Sequence, residues 1–139
     1  MSVPKFLLDT NVLIRFLVHD DAVQSPLADA LFAQADRGEC VLVLTDVAIA
    51  ESVWVLSAAY KIDRAKVADS VGAVMVKAGI RCLNLHCMLD ALIRFKATNC
   101  DFLDCYLAAM AAASGNAVAS FDRDMRKFKD ITLWQFAGK

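Results

Sequence analysis

The sequence predicts an α/β domain with a central parallel β-sheet flanked by helices on both faces. Three observations predict it. At 139 residues the chain has the length of one domain, so 1–139 is read as a single unit. Apolar runs of strand length alternate with segments of helical length. The strand runs are solidly apolar, as in Cys40–Leu44 (CVLVL), the pattern of strands covered on both faces.

Lys5–Leu8 reads as a short buried strand and Asn11–Val18 as a helix. Pro26–Arg37 forms a second helix, ended by Gly38. Cys40–Leu44 is a strand. Val47–Tyr60 and Arg64–Lys77 have helical length and good helix formers, the latter closed by Gly79. Ile80–Leu85 is a strand candidate. Cys87–Ala97 and Leu103–Ala113 are helices, the second ended by Gly115. Asn116–Phe121 and Ile131–Trp134 read as the last strands. Crossovers in such a sheet are right-handed, and ligands bind beyond the carboxyl ends of its strands.

The composition excludes several classes. It is 58% hydrophobic and 22% charged with 5 Gly and 2 Pro, which excludes a disordered or collagenous chain. The longest uncharged run, Cys105–Phe121, falls short of the ~20 apolar residues of a spanning helix. The N-terminus carries no signal-peptide pattern, so a soluble cytoplasmic protein without a membrane partner is expected. A net charge of −1 argues against a protein that coats nucleic acid. The charge is uneven: residues 1–70 carry 6 basic and 10 acidic side chains, residues 71–139 carry 9 and 6. Such mixed fields can hold a cation site and a phosphate-facing rim, or be ordinary solvated charge. The five cysteines are expected to be free buried thiols. The Cys82/Cys87 and Cys100/Cys105 spacings touch the edge of zinc patterns, but in segments that read as strand and helix.

Four carboxylates stand in apolar surroundings. Asp9 ends the first strand, and Asp122 ends Asn116–Phe121. Glu51 is the only charge between Val47 and Tyr60, and its helical neighbours Val47, Trp54 and Val55 predict an inward-looking face. Asp104 is the only charge between Phe102 and Phe121. A lone carboxylate in such surroundings costs several kcal/mol. Convergence on a divalent ion relieves that cost, and Mg²⁺ and Mn²⁺ take oxygen ligands. A carboxylate cluster holding such an ion suits phosphoryl chemistry. Each acid also has an ordinary alternative. Asp9 could cap the next helix, Glu51 could face solvent, Asp104 could complement a helix dipole, and Asp122 could be a turn residue.

The strings around these acids resemble those of a known family. Leu7-Leu8-Asp9-Thr10-Asn11-Val12-Leu13-Ile14-Arg15 resembles the opening motif of PIN-domain ribonucleases, in particular the VapC toxins of type II toxin–antitoxin pairs. Ala50–Leu56 is similar to their second motif, Asp101–Ala109 to the third and Ser120–Asp124 to the fourth. The resemblance implies an endoribonuclease that cleaves single-stranded RNA with Mg²⁺ or Mn²⁺ and a metal-activated water. It implies that Asp9, Glu51, Asp104 and Asp122 are the catalytic, metal-site acids, with Asp9 and Asp104 as principal ligands joined by Glu51 and Asp122, and Asp101 and Asp124 as accessory candidates. Thr10 and Ser120 are supporting hydroxyls; the family usually has Thr where this chain has Ser120. Asp101 is otherwise the N-cap of its helix. Arg15, Arg123 and Arg126 are candidates for RNA phosphate, with ion pairing as the plainer role. A cognate antitoxin and a homodimer are implied as partners. The alternatives are a housekeeping PIN nuclease of RNA processing or decay, and a catalytically silent PIN-like binding module, which four intact acids disfavour. A dehalogenase-like phosphatase would need Asp where Asn11 stands, and a receiver domain would need paired acids that the N-terminus lacks. Neither histidine lies in a motif, and Trp54, Trp134 and Val67–Val76 are expected in the core or an interface.

Overall fold

A computed structural model describes residues 2–137 and shows an α/β protein with a three-stranded parallel sheet and six helices. Its backbone divides into two compact units, Met1–Leu85 and His86–Lys139. Among the described residues, no helix is long and apolar enough to cross a membrane.

The first unit carries the sheet. Its elements are β1 (Lys5–Leu7), α1 (Thr10–Leu17), α2 (Gln24–Asp36), β2 (Val41–Leu44), α3 (Asp46–Ala58), α4 (Arg64–Met75) and β3 (Ile80–Cys82). β2 is central and parallel to both neighbours, pairing Lys5 with Val41 and Leu42 with Ile80. Leu42 and Leu44 are fully buried and Val41 and Val43 partly so, which fits the solid apolar run of that strand. α4 turns Val67, Val71 and Met75 into the core, as expected of that stretch, while Val76 is exposed. Thr45 Oγ1 accepts from Ala48 N and caps α3, and Asp63 caps α4.

β1 departs from its sequence reading. It was expected to be buried, yet Lys5, Phe6 and Leu7 are all exposed. β1 is an edge strand of this sheet, bonded on one side only, and of the expected Lys5–Leu8 it is Leu8 that is buried. β3 ends at Cys82 instead of reaching Leu85.

Gly79 does not close α4. The helix stops at Met75, and the positive-φ glycines are Gly38 and Gly115. Gly79 is instead a close-packing position against α2. An added Cβ would lie 2.4 Å from the Ala35 carbonyl oxygen and 2.7 Å from its carbonyl carbon. The Gly79 carbonyl also accepts from Leu42 N at 2.9 Å, so its backbone cannot simply retreat. Gly79→Ala is expected to lower stability by about 2–3 kcal/mol through overpacking, read as a lower urea midpoint with an unchanged m-value.

The second unit contains α5 (Leu85–Ala97), α6 (Phe102–Ser114) and a five-residue 3-10 turn, Arg123–Lys127. Met88, Leu92, Phe95, Cys105, Ala108 and Met125 are buried. Gly115, at φ 77°, ends α6 in the left-handed conformation its terminating role requires. Arg94 bonds Asp130 through two nitrogens, 2.8 and 2.5 Å, and also reaches Asp90. The strands expected over Asn116–Phe121 and Ile131–Trp134 contract to one parallel bridge, Val118 to Leu133. Only Val118 N to Thr132 O and Trp134 N to Val118 O, both 2.8 Å, are made there. Two bonds meeting at one residue do not make a ladder.

Candidate metal centre

The first unit places Asp9 in the loop that leaves the carboxyl end of β1, at the N-cap of α1. Its backbone carbonyl accepts from Val12 and Leu13, but its side chain makes no capping bond. The capping alternative for Asp9 is therefore not realised, and the carboxylate is exposed. Thr10 beside it is buried, 8% exposed, so its hydroxyl is held inside the protein.

Glu51 lies mid-α3 and corrects the sequence reading. The inward face consists of Ala48, Ile49, Ser52, Val53 and Leu56; Glu51 is exposed, together with Val47 and Trp54. α3 is apolar nearly all round, so periodicity could not set its phase. Packing selects the face with small residues and with Ser52, whose hydroxyl is satisfied by the Ala48 carbonyl at 2.7 Å. Trp54 at 67% exposure and Trp134 at 61% are thus not core residues.

In the second unit the acids meet. One carboxylate oxygen each of Asp104, Asp122 and Asp124 lie within 4.8 Å of one another. Among the described residues this is the one such group of three or more His, Cys, Asp or Glu side chains. Asp104 stands at the third position of α6, half-buried. Burial first, then the charges of Asp122, Asp101 and Asp124, push its carboxyl above the usual aspartate range. The sign follows: Asp104 favours the fold below its unfolded value, about 3.9, and that contribution is lost as pH rises through its native value. Asp130 behaves oppositely. Arg94 holds it below the usual range, so its contribution is complete above about pH 4 and lost in stronger acid.

Asp122 is positioned by its neighbours. The Ser120 hydroxyl accepts from Asp122 N at 3.0 Å, and Asp122 Oδ1 accepts from Asp124 N at 2.9 Å, which caps the 3-10 turn. The turn-residue alternative for Asp122 is real, and it leaves the second oxygen for other work. Asp101 occupies the N-cap of α6 by backbone geometry alone, without a side-chain capping bond. Asp124 is not a bystander: it joins the cluster while Lys127 Nζ holds its Oδ1 at 3.1 Å. Sequence reasoning had not singled out Lys127, although its spacing from Asp124 on a turn was visible. Arg15 is engaged by Gln24, Asp20 and Tyr60, the plainer of its two expected roles. Arg123 and Arg126 are exposed on the 3-10 turn.

The PIN domain family matches residues 6–131, nearly the whole chain and all four acid-bearing strings. The chain belongs to the PIN domain family. No curated protein matches it in sequence. PIN domains are generally nucleases and typically work with a divalent metal, so at that level this chain is a nuclease. The cluster fits such an ion by its donor set. Its oxygens are all carboxylate and close enough to share one centre, and after burial it is the charges of Asp122, Asp101 and Asp124 that raise Asp104. Hard oxygen donors of this kind suit a divalent cation. Four of the five free cysteines of this PIN domain are buried, and burial beside Asp46 pushes the half-buried Cys82 thiol up to about 11, away from thiolate chemistry.

Proposed function

We propose that this PIN domain is an endoribonuclease that cleaves single-stranded RNA with Mg²⁺ or Mn²⁺, and that it is the toxin of a toxin–antitoxin pair. The observation that carries the reading is the convergence of Asp104, Asp122 and Asp124. Asp104 and Asp122 would hold the ion, with Asp124 beside them. Asp9 and Glu51 enter through their motifs, and the uncapped Asp9 carboxylate is available for that work. A bound divalent ion supplies phosphate polarisation and a nucleophilic water near neutral pH.

The chain's own residues supply placement. Ser120 and the Asp122 cap fix the turn that presents two of the acids. Lys127 neutralises one oxygen of Asp124, which reduces repulsion inside the cluster and orients the other oxygen. Arg123 and Arg126, exposed on the same turn, offer guanidinium groups to RNA phosphates. A second copy and an antitoxin are the proposed protein partners, and the cytoplasm the proposed location.

The test has two parts. Purified protein is expected to cut single-stranded RNA with Mn²⁺ and to stop in EDTA; cleavage that persists in EDTA refutes the metal reading. Expression of the chain is expected to arrest bacterial growth, and Asp9→Asn to abolish the arrest. Cleavage in vitro without arrest would leave a nuclease that is not a toxin.

A further inference from the structure

Beside Asp9, the first unit holds a cavity of about 480 Å³ between α1 and α2. Its size falls within the range of about 300–1,000 Å³ for small-molecule sites. One wall is apolar: Val12, Leu27 and Leu31. The polar side is built by Arg15 and Gln24, with Asp9 of the β1–α1 loop and Asn11 of the first turn of α1 also lining the cavity.

Arg15 is fixed before anything binds. Its Nε donates to Gln24 Oε1 at 2.9 Å, and Nη1 donates to Asp20 Oδ1 at 3.2 Å and to the Tyr60 hydroxyl at 3.0 Å. That hydroxyl donates in turn to Asp20 Oδ2 at 2.7 Å. Asp21 Oδ1 accepts from Gln24 N at 2.7 Å and anchors the start of α2. A guanidinium has five N–H donors, and these bonds use those on Nε and Nη1. The two on Nη2 have no partner among the described residues. Because Gln24 Oε1 faces Arg15, the Gln24 amide presents its NH₂ as a further donor.

The chemistry of this cavity selects its ligand. Asp20 and Asp21 offset the Arg15 charge, so the ligand is neutral where it meets Arg15. The apolar wall suits a flat face, and two neighbouring donors suit an edge with two adjacent acceptors. Guanine presents such an edge in O6 and N7, where adenine has an amino donor; uracil's two carbonyls flank an N–H donor, and cytosine's O2 and N3 sit on a single ring that covers less of the apolar wall than a purine does. We propose that this cavity seats a guanine base of single-stranded RNA, next to the phosphate handled at Asp9. The proposal rests on the ribonuclease reading and names the base that the reading leaves open.

Gln24→Glu tests it, since glutamate still accepts from Arg15 but donates nothing to the base. Two readouts compare bases, so the added charge cancels. The first is titration of the full chain in EDTA with GMP, AMP, CMP and UMP, followed by NMR at the Gln24 and Asn11 side-chain amides. GMP is expected to bind about tenfold tighter than AMP and to shift those amides, and Gln24→Glu to remove the difference. The second is mapping of cuts in a random RNA pool with Mn²⁺, where guanine is expected to be enriched beside the cut and the enrichment to collapse in the variant. Equal affinity for the four nucleotides, or the same guanine enrichment in Gln24→Glu, overturns the proposal and leaves the apolar wall to a protein partner. The nucleotide titration needs no cleavage, so a protein that binds GMP selectively but cuts no RNA refutes the ribonuclease reading and not the base site.

Discussion

Asp104→Asn is expected to lower Mn²⁺-dependent cleavage of single-stranded RNA by at least about a thousandfold, with the circular dichroism spectrum and cooperative unfolding retained. Asp104 is a half-buried acid of the cluster, and its carboxyl is raised first by burial and then by the charges of Asp122, Asp101 and Asp124, a repulsion that an ion would relieve. Asparagine keeps the shape and one oxygen but removes the charge. Loss of several kcal/mol of transition-state stabilisation by an ion corresponds to this factor at ~1.4 kcal/mol per tenfold. Asp9→Asn and Glu51→Gln are expected to fall as far if their motifs carry the same chemistry. Both side chains are exposed, so neither change disturbs a core. Full activity in Asp104→Asn would remove the cluster from the mechanism. Full activity in Asp9→Asn and Glu51→Gln would confine the chemistry to the second unit's acids.

The second large effect is linkage between metal and stability. An ion that binds the native cluster and not the unfolded chain stabilises the protein by about 2.7 kcal/mol at a hundred times its dissociation constant. For a chain of this length that raises the thermal midpoint by about 10 °C. Differential scanning calorimetry with increasing Mn²⁺ reads it directly. Asp104→Asn should flatten the response. The response should also weaken in acid, because protons compete for a carboxyl whose affinity for them is already raised. A wild-type midpoint that stays fixed across millimolar Mn²⁺ would refute a metal site at these three residues.

Much of the candidate site was legible in the chain. Asp9 was placed at a strand end and Asp104 in a first helical turn, and the structure puts them there; Asp122 was placed at the end of a strand, but it caps a 3-10 turn and the strand before it is reduced to one bridge. The reason is local: apolar runs, caps and the Gly115 stop act within a few residues. Membership of the cluster was less legible. Asp124 seemed equal in standing to Asp101, but the turn brings Asp124 to Asp104 and Asp122.

The sequence by itself determined the parallel α/β class, the six helices and the acids at their ends, because hydrophobic period and termination signals are short-range. Only the tertiary structure decided the rest. The phase of α3 was open because its residues are apolar on every side, and packing put Ser52 inside and Glu51 and Trp54 outside. Gly79 looked like a helix stop, but its need is the approach of the Ala35 backbone, which lies 44 positions away in the sequence. The apolar run Asn116–Phe121 had strand composition, but a strand exists only where a partner supplies a ladder, and here the partner supplies one bridge. Asp9 and Asp101 have the residue type and backbone geometry of N-caps, yet their carboxylates make no capping bond. Capping by an acid is a local preference worth about 1 kcal/mol, small enough for the surrounding fold to set aside.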